Sequence, residues 1–68
     1  MSVARVIEVK ATSTESFEDA VKQGVARAAK TLKNVKSAWI ENQDVRINDA
    51  GEISEYRVQL KVTFVLEE

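Results

Sequence analysis

The stretch from Ile53 to Leu66 (ISEYRVQLKVTFVL) constrains this chain more than any other. Its even positions, Tyr56, Val58, Leu60, Val62, Phe64 and Leu66, are apolar. Glu55, Arg57, Gln59, Lys61 and Thr63 alternate with them until Val65 breaks the pattern. Alternation at period two, in residues rich in β-branched and aromatic side chains, predicts a strand with one face on a core and the other toward water. At about 3.3 Å per residue it runs to roughly 46 Å, where typical strands have about five or six residues. A strand that long in a chain of 68 residues must curl around its partner or overhang it.

The preceding segments supply the partners. Residues 3–10 read as a strand with Val3, Ile7 and Val9 on one side and Arg5 interrupting it. Thr12 or Ser13 can cap a helix, and Thr12 with Glu15 fits a capping box that satisfies two orphan amides. From about Ser16 to Lys33, Phe17, Ala20, Val21, Gly24, Val25, Ala28 and Leu32 recur at three and four, which predicts one amphipathic helix about 27 Å long. Acidic residues open it, lysines close it, and Glu18 with Lys22 forms an i,i+4 pair. Gly24 costs about 1 kcal/mol against alanine in mid-helix, so its place implies close approach of a strand. Residues 35–47 form a second long strand in which Ala38 and Ile40 have one parity and Val45 and Ile47 the other; a bulge near Asn42 to Asp44 would reconcile them. Asn48 to Glu52 reads as a hairpin loop with Gly51 at a turn position. The predicted fold is α+β, in the order β-α-β-β: a three-stranded antiparallel sheet curled around one helix, with residues 1–68 forming a single domain.

Composition narrows the function. A domain of this size buries only about 60% of its unfolded surface, and small scaffolds need an additional staple. With no cysteine and no histidine, disulfides, thiolate metal sites, thiol chemistry and the usual general base are excluded. Oligomerisation remains, or a metal held by oxygen ligands. The final strand also outruns the helix it covers, so part of its apolar face needs another subunit. Ten Lys+Arg against eleven Asp+Glu give no single-sign field for nucleic acid. No apolar run is long enough to span a bilayer and no signal-peptide core is present, so a soluble cytoplasmic protein is expected. No carboxylate pair has a spacing suited to acid–base catalysis, and no nucleophile elbow or phosphate loop occurs, so the chain is read as non-catalytic.

The capped helix opening TSTESFEDA, the segment ARAAKTLKN and the closing EYRVQLKVTFVLEE resemble the dodecins over nearly the whole chain. That resemblance implies a small β-α-β-β protein that assembles twelve copies into a hollow sphere. It also implies binding of flavins (riboflavin, FMN or FAD) at subunit interfaces, for storage or quenching rather than turnover. In flavin-binding dodecins a tryptophan early in the second strand stacks on the isoalloxazine ring, and a glutamine after the third-strand tyrosine bonds its polar edge. Here those places hold Ser37 and Arg57. The resemblance is closer to a subgroup described as calcium dodecins, which lacks the stacking tryptophan and shares the AGxI hairpin and a basic residue after the tyrosine.

The candidate cofactor-binding residues are therefore Trp39, Arg57, Ser37 and Gln59. Trp39 shares the parity of Ser37 about 7 Å further along and serves either subunit packing or ligand stacking. Arg57 can stack on a ring or face a carbonyl. Arg57, Gln59 and Lys61 alternate outward, solvated or paired at an interface. Asp44, Asn48, Asp49 and Glu52 carry oxygens suited to Ca2+, without the spacing of an EF-hand, and a solvated turn also accounts for them. Asp49 and Glu52 are the candidate metal ligands, and a symmetry axis could gather one such carboxylate from each copy. The expected function is a non-catalytic homododecameric cage that sequesters a small aromatic ligand, flavin by analogy; the alternative is a cage that binds calcium or another divalent cation.

Overall fold

In a computed structural model, which describes residues 3–66, the chain runs β1 (Val3–Ser13), α1 (Phe17–Thr31), β2 (Val35–Ile47), β3 (Ile53–Leu66). The sheet order β1-β3-β2 puts the long strand at the centre, antiparallel to both neighbours. This is the β-α-β-β architecture expected from the patterning.

Three boundaries differ from expectation, each for a local reason. β1 continues past Lys10 to Ser13, because Ala11 and Ser13 extend its inner face opposite Val58 and Tyr56. Thr12 is thus still strand, and the Thr12–Glu15 capping box does not form. Ser16 is the cap instead, its hydroxyl accepting from the Asp19 amide at 2.9 Å. Ser13, buried at 6% exposure, joins strand end to helix start: its Oγ accepts from the Glu15 amide at 2.9 Å and donates to the Asp19 carboxylate at 2.6 Å. The helix stops at Thr31, short of Lys33, and Asn34 takes a left-handed φ of 61° as the chain turns into β2. Among the described residues the β2–β3 pairing has three irregularities, at Val35/Ser37, Ile40/Asn42 and Arg46/Ile47. The one that reconciles the parity is the bulge at Glu41, one residue before the expected segment, between the pairs Ile40–Leu60 and Asn42–Gln59. It brings Val45, opposite Tyr56, onto the face already held by Ala38 and Ile40.

The core is small. Ala20 and Ala28 on the helix meet Val58, Leu60 and Val62 on β3, with Ile7, Val9, Ala11, Phe17, Val21, Val25 and Leu32 packed around them. Ala20, Gly24 and Ala28 repeat every four residues and are the buried residues of the helix. A stripe of small residues lets a helix backbone settle onto a sheet. At Gly24 the approach is closest: a β-carbon there would lie 3.0 Å from Leu60 Cδ1 and 3.2 Å from Ala11 Cβ. The phenyl ring of Phe17 closes one end edge-on to Tyr56, with centroids 5.1 Å apart.

The helix lies over β1 and β3 and leaves most of β2 uncovered beyond Val35, which still packs against the core. Leu60 has no exposure, while Ile40, its neighbour on the same face across the ladder, is 46% exposed. Fifteen helical residues span about 22 Å, whereas the described residues extend over 53 Å. The β2–β3 hairpin therefore overhangs, with Ile47 paired to Ile53 near its tip and both largely exposed.

Gly24→Val places branched carbons against Leu60 and the immovable Ala11 methyl, and overpacking of this kind costs about 1–3 kcal/mol. A lowered urea midpoint is the expected result; an unchanged one would mean the helix sits further from the sheet.

Candidate functional site

The face of the sheet turned away from the helix carries the candidate residues. The antiparallel register arranges it in four rungs across β1, β3 and β2: Val6–Thr63–Ser37, Glu8–Lys61–Trp39, Lys10–Gln59–Asn42 and Thr12–Arg57–Asp44. Ser37, Trp39, Gln59 and Arg57 therefore share one face, as strand parity predicted. They do not share one position. Trp39 lies opposite Lys61, four residues along β3 from Arg57, which is about 13 Å. On one chain the two can reach only opposite ends of a flat ligand, so a slot that brings both to the same part of it takes each from a different copy.

The Val6–Thr63–Ser37 rung and the Trp39 indole beside it form the less polar end. Trp39 is 50% exposed, Val6 is also largely exposed, and Ser37 and Thr63 between them present only short side chains. An indole half in water, with Ser37 and Thr63 on the next rung and Lys61 and Glu8 on its own, is a ledge on which a planar group can lie.

Polar side chains of the other three rungs are tied together. Arg57 donates from Nε to Asp44 Oδ1 at 2.8 Å and from Nη2 to Asp44 Oδ2 at 2.7 Å, a bidentate pair across the ladder. The Asp44 carboxyl is held below its ordinary value of 3.8, first by the hydrogen bond from Arg57, and Asp44 in turn raises Arg57. Gln59 Nε2 donates to Glu8 at 2.8 Å and to Glu41 at 2.7 Å. Lys61 Nζ sits 3.3 Å from Glu41 and 3.8 Å from Glu8. Together these contacts lace the three strands. A shallow depression of about 230 Å³ opens over the last two rungs, with Lys10, Thr12, Asn42, Asp44, Arg57 and Gln59 on its walls.

The acidic residues at the hairpin are arranged differently from a metal cup. Asn48 Oδ1 accepts from the amides of Ala50 and Glu52, each at 3.0 Å, and Gly51 turns the chain with φ 81°. Asn48 is thus spent on the turn and Asp44 on Arg57, which leaves Asp49 and Glu52 exposed. Among the described residues of one chain, no group of three or more acidic side chains converges as a metal site.

Sequence reasoning left out the Asp44–Arg57 pair and the Glu8 and Glu41 partners of Gln59. With the bulge assigned only to Asn42–Asp44, the residue opposite Arg57 was undefined. The position of the bulge at Glu41 fixes it.

Comparison with known proteins agrees with this architecture. The family model described as Dodecin matches residues 3–67. This chain belongs to the dodecin family. Among curated dodecin relatives, it is 38% identical to the calcium dodecin of Mycobacterium tuberculosis over 94% of this chain and 89% of that one. It is 41% identical to the dodecin of Thermus thermophilus over 97% of this chain and 94% of that one. The solved dodecin from Streptomyces davaonensis superposes with a TM-score of 0.92 at 33% identity, covering 98% of this chain and 97% of its own. The calcium dodecin of Mycobacterium tuberculosis, described as calcium chelating, superposes at 0.83 and 35% identity over 97% and 93% of the two chains.

The depressed Asp44 value sets the pH behaviour of the pair. Its contribution to the fold is complete above 3.8, the ordinary value, and is lost as pH falls through the lower folded-state value. In an acid titration followed by carboxyl-carbon NMR, Asp44 is expected to titrate below 3.8, and Arg57→Gln to return it toward that value. A midpoint at or above 3.8 in the unsubstituted protein would mean the pair is open in solution.

Proposed function

We propose that this dodecin assembles as a hollow homododecamer in the cytoplasm and sequesters a planar aromatic ligand at its subunit interfaces, with riboflavin, FMN or FAD as the ligand. The protein stores its ligand and does not transform it. The observation that carries the reading is Trp39, half exposed on the outer sheet face next to Ser37 and Thr63. It supplies a stacking surface one rung from the place where flavin-binding relatives carry theirs. Ser37 leaves that place open, so the ring lies over Trp39 rather than above Ser37. Gln59 and Arg57 bound the polar end of the slot, contributed by the second copy.

Assembly follows from the uncovered apolar surface. Val3, Ile40, Ile47, Ile53 and Leu66 are all more than a third exposed in the single chain, and the short helix cannot reach them. Packing between copies removes this surface from water at about 25 cal/mol per Å².

A second reading is a calcium-binding cage. It is favoured by the 38% identity to a relative named calcium dodecin and by Ser37 in place of an aromatic residue. Asp49 and Glu52, exposed at the hairpin, could be brought together with their copies on a symmetry axis to give the oxygen-rich setting calcium requires.

Native mass spectrometry of the protein as purified separates these readings. Twelve-subunit masses with flavin-sized increments are expected; a bare or metal-loaded dodecamer would sink flavin storage, and a monomer would sink the cage. A melting temperature raised by calcium and lowered by chelator would support the second reading. Trp39→Ala is expected to abolish riboflavin quenching while the assembly mass stays the same. Loss of assembly instead would make Trp39 a packing residue.

A further inference from the structure

We infer that Arg57, held flat by Asp44, selects the ligand edge that enters this site: two adjacent hydrogen-bond acceptors, a carbonyl oxygen beside an unprotonated ring nitrogen, and not an imide N–H. This deepens the planar-ligand reading above and rests on it.

The argument starts from what Asp44 leaves free. A guanidinium has five N–H donors and no acceptor. Asp44 takes one hydrogen from Nε and one from Nη2. The three that remain lie on Nη1 and on the far side of Nη2, where two of them point outward in parallel. Among the described residues Asp44 is the only hydrogen-bond partner of the Arg57 side chain, which is 45% exposed. The outward fork therefore stands ready at the wall of the depression formed with Thr12, Asn42 and Gln59. Because two bonds fix the guanidinium plane, little side-chain freedom is left to lose on binding.

Such a fork matches two acceptors side by side and has nothing to offer a donor. An imide N–H pushed against it would be left unpaired, which is costly in a desolvated slot. The carboxylate also offsets the guanidinium charge, so the fork itself reads an uncharged edge, while Lys10 is the cation that remains on the wall of the depression. Isoalloxazine presents the required edge at a carbonyl next to a ring nitrogen on either side of its imide. Asp44 acts through Arg57 as a positioning residue, and Arg57 makes the contact.

The test compares riboflavin with 3-methylriboflavin, whose imide hydrogen is replaced by methyl, by fluorescence quenching on the assembled protein. The unsubstituted protein is expected to bind both within about twofold. Arg57→Gln, which gives the edge an acceptor as well as a donor, is expected to favour riboflavin by about tenfold, the value of one well-made hydrogen bond. Arg57→Lys keeps the charge but loses the fork, and should weaken both flavins. Asp44→Asn should weaken both equally and leave the preference and the assembly mass unchanged. A tenfold preference for riboflavin in the unsubstituted protein would overturn the inference, because another acceptor, such as Gln59 Oε1, would then be reading the imide. An unaltered preference in Arg57→Gln would overturn it too. Quenching of neither flavin by the unsubstituted protein would defeat the flavin reading itself, and this inference with it.

Discussion

A helix rises about 1.5 Å per residue and a strand about 3.3 Å. In this dodecin, α1 and β3 have nearly equal numbers of residues, 15 and 14, so the helix covers about half the length of the central strand. The buried core accordingly gathers at the middle, where Ala20, Gly24 and Ala28 meet Val58, Leu60 and Val62. What lies beyond the helix, toward the hairpin and across β2, keeps its apolar side chains in the open. This exposed apolar surface is a consequence of the mismatch in rise.

The same strand divides the molecule chemically. Its even residues fill the core, and its odd residues build the opposite face, where charges pair across three strands instead of packing. Exposed pairs of this kind contribute little to stability individually. Their effect here is to fix side chains: Gln59 between Glu8 and Glu41, Arg57 against Asp44. The surface that results has an aromatic ledge at Trp39 and an ordered polar end four residues along the central strand.

Much of the fold was legible because periodicity reports it directly. Alternation in Ile53–Leu66 and the three-four spacing from Phe17 to Leu32 gave the strand, the helix and the face each residue takes. Gly24 announced a close contact that the distance to Leu60 bears out. Local chemistry was less legible. Thr12, Ser13 and Ser16 are all competent caps, and the choice among them depended on how far β1 could continue its pairing with β3. The bulge was signalled by the change of parity in β2 but not placed, since any of several residues could be the extra one.

The sequence by itself determined the β-α-β-β order, the two-faced central strand and the common face of Ser37, Trp39, Arg57 and Gln59. These follow from intervals along the chain, which set side-chain direction without reference to any partner. Only the tertiary structure decided which residues meet across strands: Asp44 with Arg57, Gln59 with both Glu8 and Glu41, Trp39 with Lys61. Those meetings depend on register, and each irregularity in the β2–β3 pairing, the bulge at Glu41 among them, shifts every pair on one side of it.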